Sequence, residues 1–246
     1  MARTQQNSYK GRGVVLHTMK YGESSMIAHL LTEEAGRQSF IVQGVRSKRG
    51  RGSKAALLQP LFCVEYVGSR SPMSELHRFS ELRSGMTLMK IPYDIRRSTI
   101  ALFVAELIYR VVRENESNEP LFNFIWGAIE ALDRVEEGLA NFHLYLLANL
   151  SKHLGFTPLG EWRDGGVIDI IEGSFTNYLP SHGNYISNSE AQIFDALLKM
   201  DVTMLGELRL NREQRVAFLE SLIKYYGYHL DIIYEVQSIK ILQEIF

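Results

Sequence analysis

The sequence predicts an α+β protein, with a small antiparallel β-barrel over residues 1–84 and a mainly α-helical domain over residues 85–246 that carries a small inserted hairpin. Three observations lead there. The first 84 residues break into about five short β-type runs separated by turn residues. From about residue 94 the apolar spacing changes from two to the alternating three and four of amphipathic helices. The charge divides in the same way. Residues 1–90 carry 14 Lys and Arg against 6 Asp and Glu, a balance of +8, whereas residues 91–246 carry 13 against 22, a balance of −9. Halves of opposite sign predict two units with different partners, and the basic half points to a polyanion.

Within the first unit, Val14-Val15-Leu16 opens a β-branched run after Gly11-Arg12-Gly13. Residues 24–31 alternate, with Met26, Ala28 and Leu30 on one face and Ile27, His29 and Leu31 on the other. Residues 32–36 form a turn, and Gly36 suits its positive-φ position. Residues 37–45 continue as a strand with Phe40 and Val42 opposing Ile41 and Gln43; residues 61–67 and 76–82 supply the last two strands. The segment 84–94, punctuated by Gly85 and Pro92, is the expected domain boundary.

Beyond it, Ile100, Val104, Leu107, Ile108 and Val111 form one apolar stripe, and Leu121, Ile125, Ala128, Leu132 and Val135 a second with Pro120 at its first turn. Leu139, Phe142, Leu146, Leu150 and Leu154 form a third. Ser187 and Glu190 have the spacing of a capping box opening a helix through Leu198. Asn211 is placed to cap a long last helix whose stripe runs from Val216 to Ile233. Residues 167–171 and 175–179 interrupt this pattern as the inserted hairpin.

Composition narrows the function. With 46% hydrophobic residues the chain can bury a core, and its longest apolar stretches, residues 100–105 and 144–148, are far too short to span a membrane. The N-terminus lacks the apolar core of a signal peptide, so a cytoplasmic location is expected. The one cysteine, Cys63, excludes an internal disulfide and an all-thiolate zinc site, and its apolar strand predicts a buried thiol rather than a nucleophile. No phosphate-binding loop, dinucleotide fingerprint or nucleophile elbow occurs. The seven histidines form no pair at metal-ligand spacing, and no cofactor or metal is called for. Asp164, Asp169 and Glu172 fit a nuclease site only in composition, since their spacing matches no known ligand pattern.

The sharpest local signal is the run from Gly44 to Lys54. It holds Arg46, Lys48, Arg49, Arg51 and Lys54 with three glycines and no acid, directly after a predicted strand. A basic loop beside a β surface is a common grip on single-stranded nucleic acid, in which cations follow the phosphates and exposed rings stack on bases. Lys10, Arg12, Lys20 and Arg37 are candidates to extend the patch. Phe40, Phe62, Tyr66, Tyr21 and Phe79 are candidates to stack, although a small barrel needs most of its large side chains for its own core. In the helical half, Ile239, Ile241, Leu242, Ile245 and Phe246 crowd the C-terminus with Ile232, Ile233 and Tyr234, as helix packing or as a groove for a partner peptide.

Four segments in order resemble the amino-terminal domain of the RecO family of bacterial recombination mediators. They are Gly13-Val-Val-Leu-His-Thr-Met-Lys-Tyr-Gly-Glu-Ser-Ser-Met-Ile27, Leu31-Thr-Glu-Glu-Ala-Gly36, Val42-Gln-Gly-Val-Arg46 and Leu57-Leu-Gln-Pro60. His153-Leu-Gly-Phe156 extends the likeness into the helical half. The resemblance implies an oligonucleotide-binding (OB) barrel followed by a helical domain. It also implies a non-enzymatic protein that binds single- and double-stranded DNA and anneals complementary strands. It further implies work with RecR, and in some bacteria RecF, to load RecA onto DNA coated by single-strand-binding protein (SSB), whose acidic tail some members bind on the helical domain. The DNA-binding positions it implies are the loop residues Arg46, Lys48, Arg49, Arg51 and Lys54, together with Arg37 on the strand after the hairpin. Many members carry a four-cysteine zinc site after the Leu-Gly-Phe segment; here residues 157–186 contain no cysteine, and the hairpin is expected to hold that region by packing. The alternative reading of the residues alone is an adaptor whose basic loop grips an acidic protein tail.

Overall fold

The computed structural model describes residues 8–45, 54–70, 76–112, 116–230 and 236–246. The chain opens with β1 (Ser8–Tyr21), β2 (Ser25–Thr32) and β3 (Gly36–Val42), followed by a short helix α1 (Lys54–Leu57) and strands β4 (Cys63–Ser69) and β5 (His77–Ser84). These strands close a barrel in the order β1-β2-β3-β5-β4. The long β1 serves two neighbours: Ser8 to Val14 pair with β4, and Gly13 to Tyr21 with β2. A bulge between Val15 and His17 leaves Leu16 without a cross-strand partner and bends the strand from one neighbour to the other. The barrel closes through a short parallel pairing of Phe40 with His77 and Ile41 with Arg78. A shared first strand and this closure are the OB arrangement.

The alternation read from the sequence orients the wall. Met26, Ala28, Leu30, Phe40 and Val42 face inward with Val15, Val64 and Tyr66, and Phe79 stacks on Phe40 at 4.3 Å. Gly36 has φ +60°, as its hairpin turn requires. Several strand boundaries differ from expectation, β4 and β5 each running two residues further, to Ser69 and Ser84. β3 ends at Val42 rather than residue 45, and β4 starts at Cys63 rather than residue 61. The late start of β4 has a local cause. Leu61 adopts a left-handed φ of +60° so that its N–H reaches the Val15 carbonyl at 2.8 Å, while the Val15 N–H reaches the Phe62 carbonyl at 2.9 Å.

Two helices follow. α2 (Ile95–Val111) starts at Asp94, whose side chain accepts from the Arg96 N–H, and α3 (Glu119–Arg134) has Pro120 in its first turn. The buried carboxylate of Asp133 accepts N–H bonds from Met89, Lys90 and Ile91, each at 2.8 Å, and so pins the segment between β5 and α2. The barrel, α2 and α3 form one compact unit ending at Asp133, and Arg134–Phe246 form a second.

The second unit contains α4 (Phe142–His153), the small sheet of β6 (Val167–Asp169), β7 (Ser174–Thr176) and β8 (Tyr185–Ile186), then α5 (Asn188–Lys199), α6 (Arg212–His229) and α7 (Ser238–Ile245). Ser187 with Glu190, and Asn211 with Gln214, form reciprocal capping boxes at the starts of α5 and α6. α6 ends at His229; Ile233, the far end of the expected stripe, lies outside the described residues, as do Ile232 and Tyr234. The inserted hairpin is β6–β7, joined by β8 in the order β7-β6-β8. Val167, Ile168, Ile170 and Ile186 are buried there, and the Asp169 carboxylate accepts from the Ile171 and Glu172 N–H groups and faces His182 Nε2 at 3.2 Å.

Candidate nucleic-acid interface

The barrel presents two candidate surfaces. The first is a cleft of about 620 Å³ beside β1, β4 and β5. Lys10 and Arg12 reach it from β1, Lys54 from α1, and Arg83, which the sequence reading passed over, from β5. Glu33, Glu65 and Glu81 line it too. Arg12 holds Glu33 through Nε at 2.8 Å and through Nη2, with its guanidinium 5.1 Å from the Trp126 ring centre and 5.6 Å from that of Phe122. The guanidinium pulls the Glu33 carboxyl below its ordinary range, against the opposing effect of burial. Arg83 is paired with Glu65 at 2.7 Å. Lys10 and Lys54 have no ion-pair partner among the described residues.

The second surface is the outer side of β1, β2 and β3. The pairing register lines up His17 with His29 and then Ser39, and Met19 with Ile27 and then Ile41, while Tyr21 lies opposite Ser25. Arg37 sits on this face, not in the cleft: its Nη1 donates to the Tyr109 carbonyl at 2.8 Å and its guanidinium lies 5.1 Å from the Tyr109 ring centre. Tyr109 also stacks on His17 at 4.8 Å and meets His29 at 5.1 Å. Burial, followed by the nearby His17 and Arg37, holds His29 below the ordinary imidazole range. Leu31, on the same side of β2, is buried, whereas Met19 and Tyr21 remain 47% and 48% exposed.

The structure therefore separates the candidate cations. Lys10, Arg12 and Lys54 share the cleft; Arg37 lies on the other face; Arg46, Lys48, Arg49 and Arg51 lie outside the described residues. Of the five rings considered for stacking, Phe40 and Tyr66 are core residues, Phe62 and Phe79 pack against that core, and Tyr21 is exposed. His17 and Tyr109 carry no stacking signal in the sequence, because only the pairing of β1 with β2 and the end of α2 bring them together. Cys63 is buried, and burial above all pushes its thiol up to about 12. Asp169 spends its oxygens on its own turn and on His182; among the described residues no group of three His, Cys, Asp or Glu is placed to hold a metal ion. In the second unit, Leu219, Ile223 and Gly227 of α6 line an apolar groove of about 360 Å³ with Val236 and Ile239, bordered by Glu220 and Lys224. No described helix is long and apolar enough to cross a membrane.

Comparison with known proteins agrees with this architecture. The family model for the N-terminal region of recombination protein O matches residues 6–84, and that for its C-terminal region matches residues 92–235. A DNA repair protein RecO of Bacteroides fragilis is 37% identical over 236 residues, covering 95% of this chain and 97% of its own. The protein of that name from Phocaeicola vulgatus is 35% identical with the same coverage, and that from Flavobacterium psychrophilum 31% identical over 96% of this chain and 98% of its own. With both halves matched in order and relatives aligned end to end, the chain belongs to the RecO family of DNA repair and recombination proteins.

Proposed function

We propose that this protein is a non-catalytic DNA-binding mediator of recombinational repair. It binds single- and double-stranded DNA, anneals complementary strands and helps load RecA onto single-stranded DNA coated by SSB. RecR is its partner in this work, with RecF where that protein is used, and the second unit takes the SSB tail. It acts in the cytoplasm, at the nucleoid. Family membership over both halves of the chain carries the reading. The OB barrel adds to it, with its run of Arg46, Lys48, Arg49, Arg51 and Lys54 uninterrupted by an acid.

In this reading the loop cations, with Lys10 beside Lys54 at the cleft, neutralise phosphates and hold a strand until its complement arrives. Arg12 borders the same cleft and Arg37 lies on the other face, each already engaged within the first unit. Contacts of this kind are made to the backbone and are largely independent of sequence. The deciding experiment follows the annealing of two complementary labelled oligonucleotides by fluorescence transfer. It compares the wild type with a variant in which Arg46, Lys48, Arg49 and Arg51 are all alanine. The proposal expects acceleration by the wild type and loss of it in the variant. A wild type that neither binds nor anneals DNA would overturn it and leave the basic loop to an acidic protein tail.

A further inference from the structure

α2 is apolar on two opposite sides, and only one of them is covered. Ile100, Val104, Leu107, Ile108 and Val111 are buried within the first unit. At about 3.6 residues per turn, Ile95, Ser98 and Leu102 form a second stripe on the other side of the helix. There Ile95 is 68% and Leu102 39% exposed, and just before the helix Met89 and Tyr93 are 69% and 87% exposed. Among the described residues, four of the six large apolar side chains that the first unit exposes thus fall between residues 89 and 102. A helix that faces water carries polar residues on the side away from its core, and apolar residues on both sides mark a helix covered on both. The segment is also held rigid. The Asp133 carboxylate accepts from Met89, Lys90 and Ile91, the Tyr93 and Asp94 N–H groups each reach the Lys90 carbonyl at 2.9 Å, and Asp94 caps α2 and faces Arg97 at 3.4 Å. A surface fixed before it meets its partner has little ordering entropy left to lose.

We propose that this face pairs with the same face of a second copy of the chain, the two α2 helices running antiparallel about a twofold axis beside Ser98. The spacing is self-complementary. Ile95 and Leu102 flank Ser98 on one stripe, so a twofold rotation lays Ile95 of each copy on Leu102 of the other. Ser98 is small, and its hydroxyl turns back to the Ile95 carbonyl at 3.1 Å, which leaves room for the helices to approach at the axis. The area is sufficient as well. The four exposed side chains offer roughly 500 Å² per copy, or about 1,000 Å² for the pair, which reaches the range of specific interfaces. Tyr93, with the 60% exposed side chain of Arg96 close by in sequence, supplies the residue types that carry most interface energy. The pairing gives strand annealing a physical basis, because two barrels, each holding one strand, then travel in one particle. That consequence rests on the DNA-binding reading above; the pairing itself does not.

The test is sedimentation of the full chain, which is expected to show a reversible equilibrium between monomer and dimer. Ile95→Lys and Leu102→Glu, both at exposed positions, are each expected to weaken the dimer by about 30-fold or more. The double variant Ile95→Lys/Leu102→Glu is expected to recover association, because each lysine then meets a glutamate across the axis, and its recovery separates lost pairing from misfolding. Ser98→Cys is expected to join to its twin with a short bis-maleimide, to which the buried Cys63 is inert. Each single variant is expected to bind a labelled oligothymidylate as the wild type does, yet to anneal complementary strands more slowly where the wild type is dimeric. The proposal is overturned if the wild type stays monomeric up to about 100 μM, or if the double variant associates no better than the single ones. It is equally overturned if the single variants lose DNA affinity while their sedimentation matches the wild type, which would make the face a nucleic-acid contact. A monomeric variant that anneals as fast as the wild type removes the role in annealing. A wild type that dimerises but binds no DNA removes the functional proposal and leaves the pairing standing.

Discussion

Arg12 grips Glu33 through two guanidinium nitrogens, one of them at 2.8 Å, and the pair ties the middle of β1 to the turn that ends β2. With its flat side over Trp126 the guanidinium also fastens the barrel to α3. A residue read from the sequence as a DNA contact is thus built into the wall of its own unit. Arg12→Ala is expected to destabilise the first unit by about 1–2 kcal/mol. Arg12→Lys recovers little of this, because an ammonium can neither bridge both oxygens nor lie flat on the indole. The pH dependence has a definite sign. The folded Glu33 carboxyl lies below its ordinary value, so the stabilisation is fully present above about 4.5 and is lost as the pH falls through the lower folded value. Thermal melts of wild type and Arg12→Ala should therefore differ at pH 7 and converge on strong acidification.

Asp133 ties the end of α3 to the segment before α2 through three backbone N–H groups. Burial raises its proton affinity, but the N–H groups of Met89, Lys90 and Ile91, with Arg97 nearby, outweigh that and hold it below the ordinary carboxylate range. Asp133→Ala leaves three backbone N–H donors without their acceptor, that of Ile91 buried, and is expected to cost about 2–4 kcal/mol in urea titration. Asp133→Asn should recover part of that loss, since one amide oxygen can still accept.

Gly138 has φ +75°, and a Cβ there would stand 2.3 Å from the Leu205 carbonyl carbon and 2.4 Å from its oxygen. Backbone cannot give way as a side-chain tip can. Gly138→Ala is expected to destabilise the second unit by more than the ~1–2 kcal/mol of a left-handed alanine alone, visible as a lowered melting temperature.

Cys63 offers a clean probe because it is the only cysteine. Buried and with its thiol pushed up to about 12, it should react with a disulfide reagent at pH 8 only as fast as the barrel opens, and at once in denaturant. Rapid stoichiometric reaction of the folded protein would contradict the placement of β4.

Binding of single-stranded DNA should weaken with salt. Neutralising about 5 phosphates gives a slope of log K against log salt near −3.5, and replacing the four loop cations Arg46, Lys48, Arg49 and Arg51 should bring it close to −1. A flat wild-type response would leave no role for the basic run.

Much of this was legible in the sequence because it depends on neighbours in the chain. Alternation assigned Ala28, Leu30, Phe40 and Val42 to the inside, and the capping residues Ser187 and Asn211 stand where the helices begin. The change of period near residue 94 marked where strands give way to helices, and the short motifs pointed to the family. Tertiary structure decided what depends on distant partners. Only the register between β1 and β2 sets His17 beside His29, and only the end of α2 brings Tyr109 onto them and draws Arg37 in. Arg12 and Lys10 are both cations of β1, yet one is locked to Glu33 and Trp126 and the other has no ion-pair partner among the described residues. A side chain's type and its face follow from local spacing, whereas whether its charge is already spent depends on groups dozens of residues away that meet it only in the folded chain.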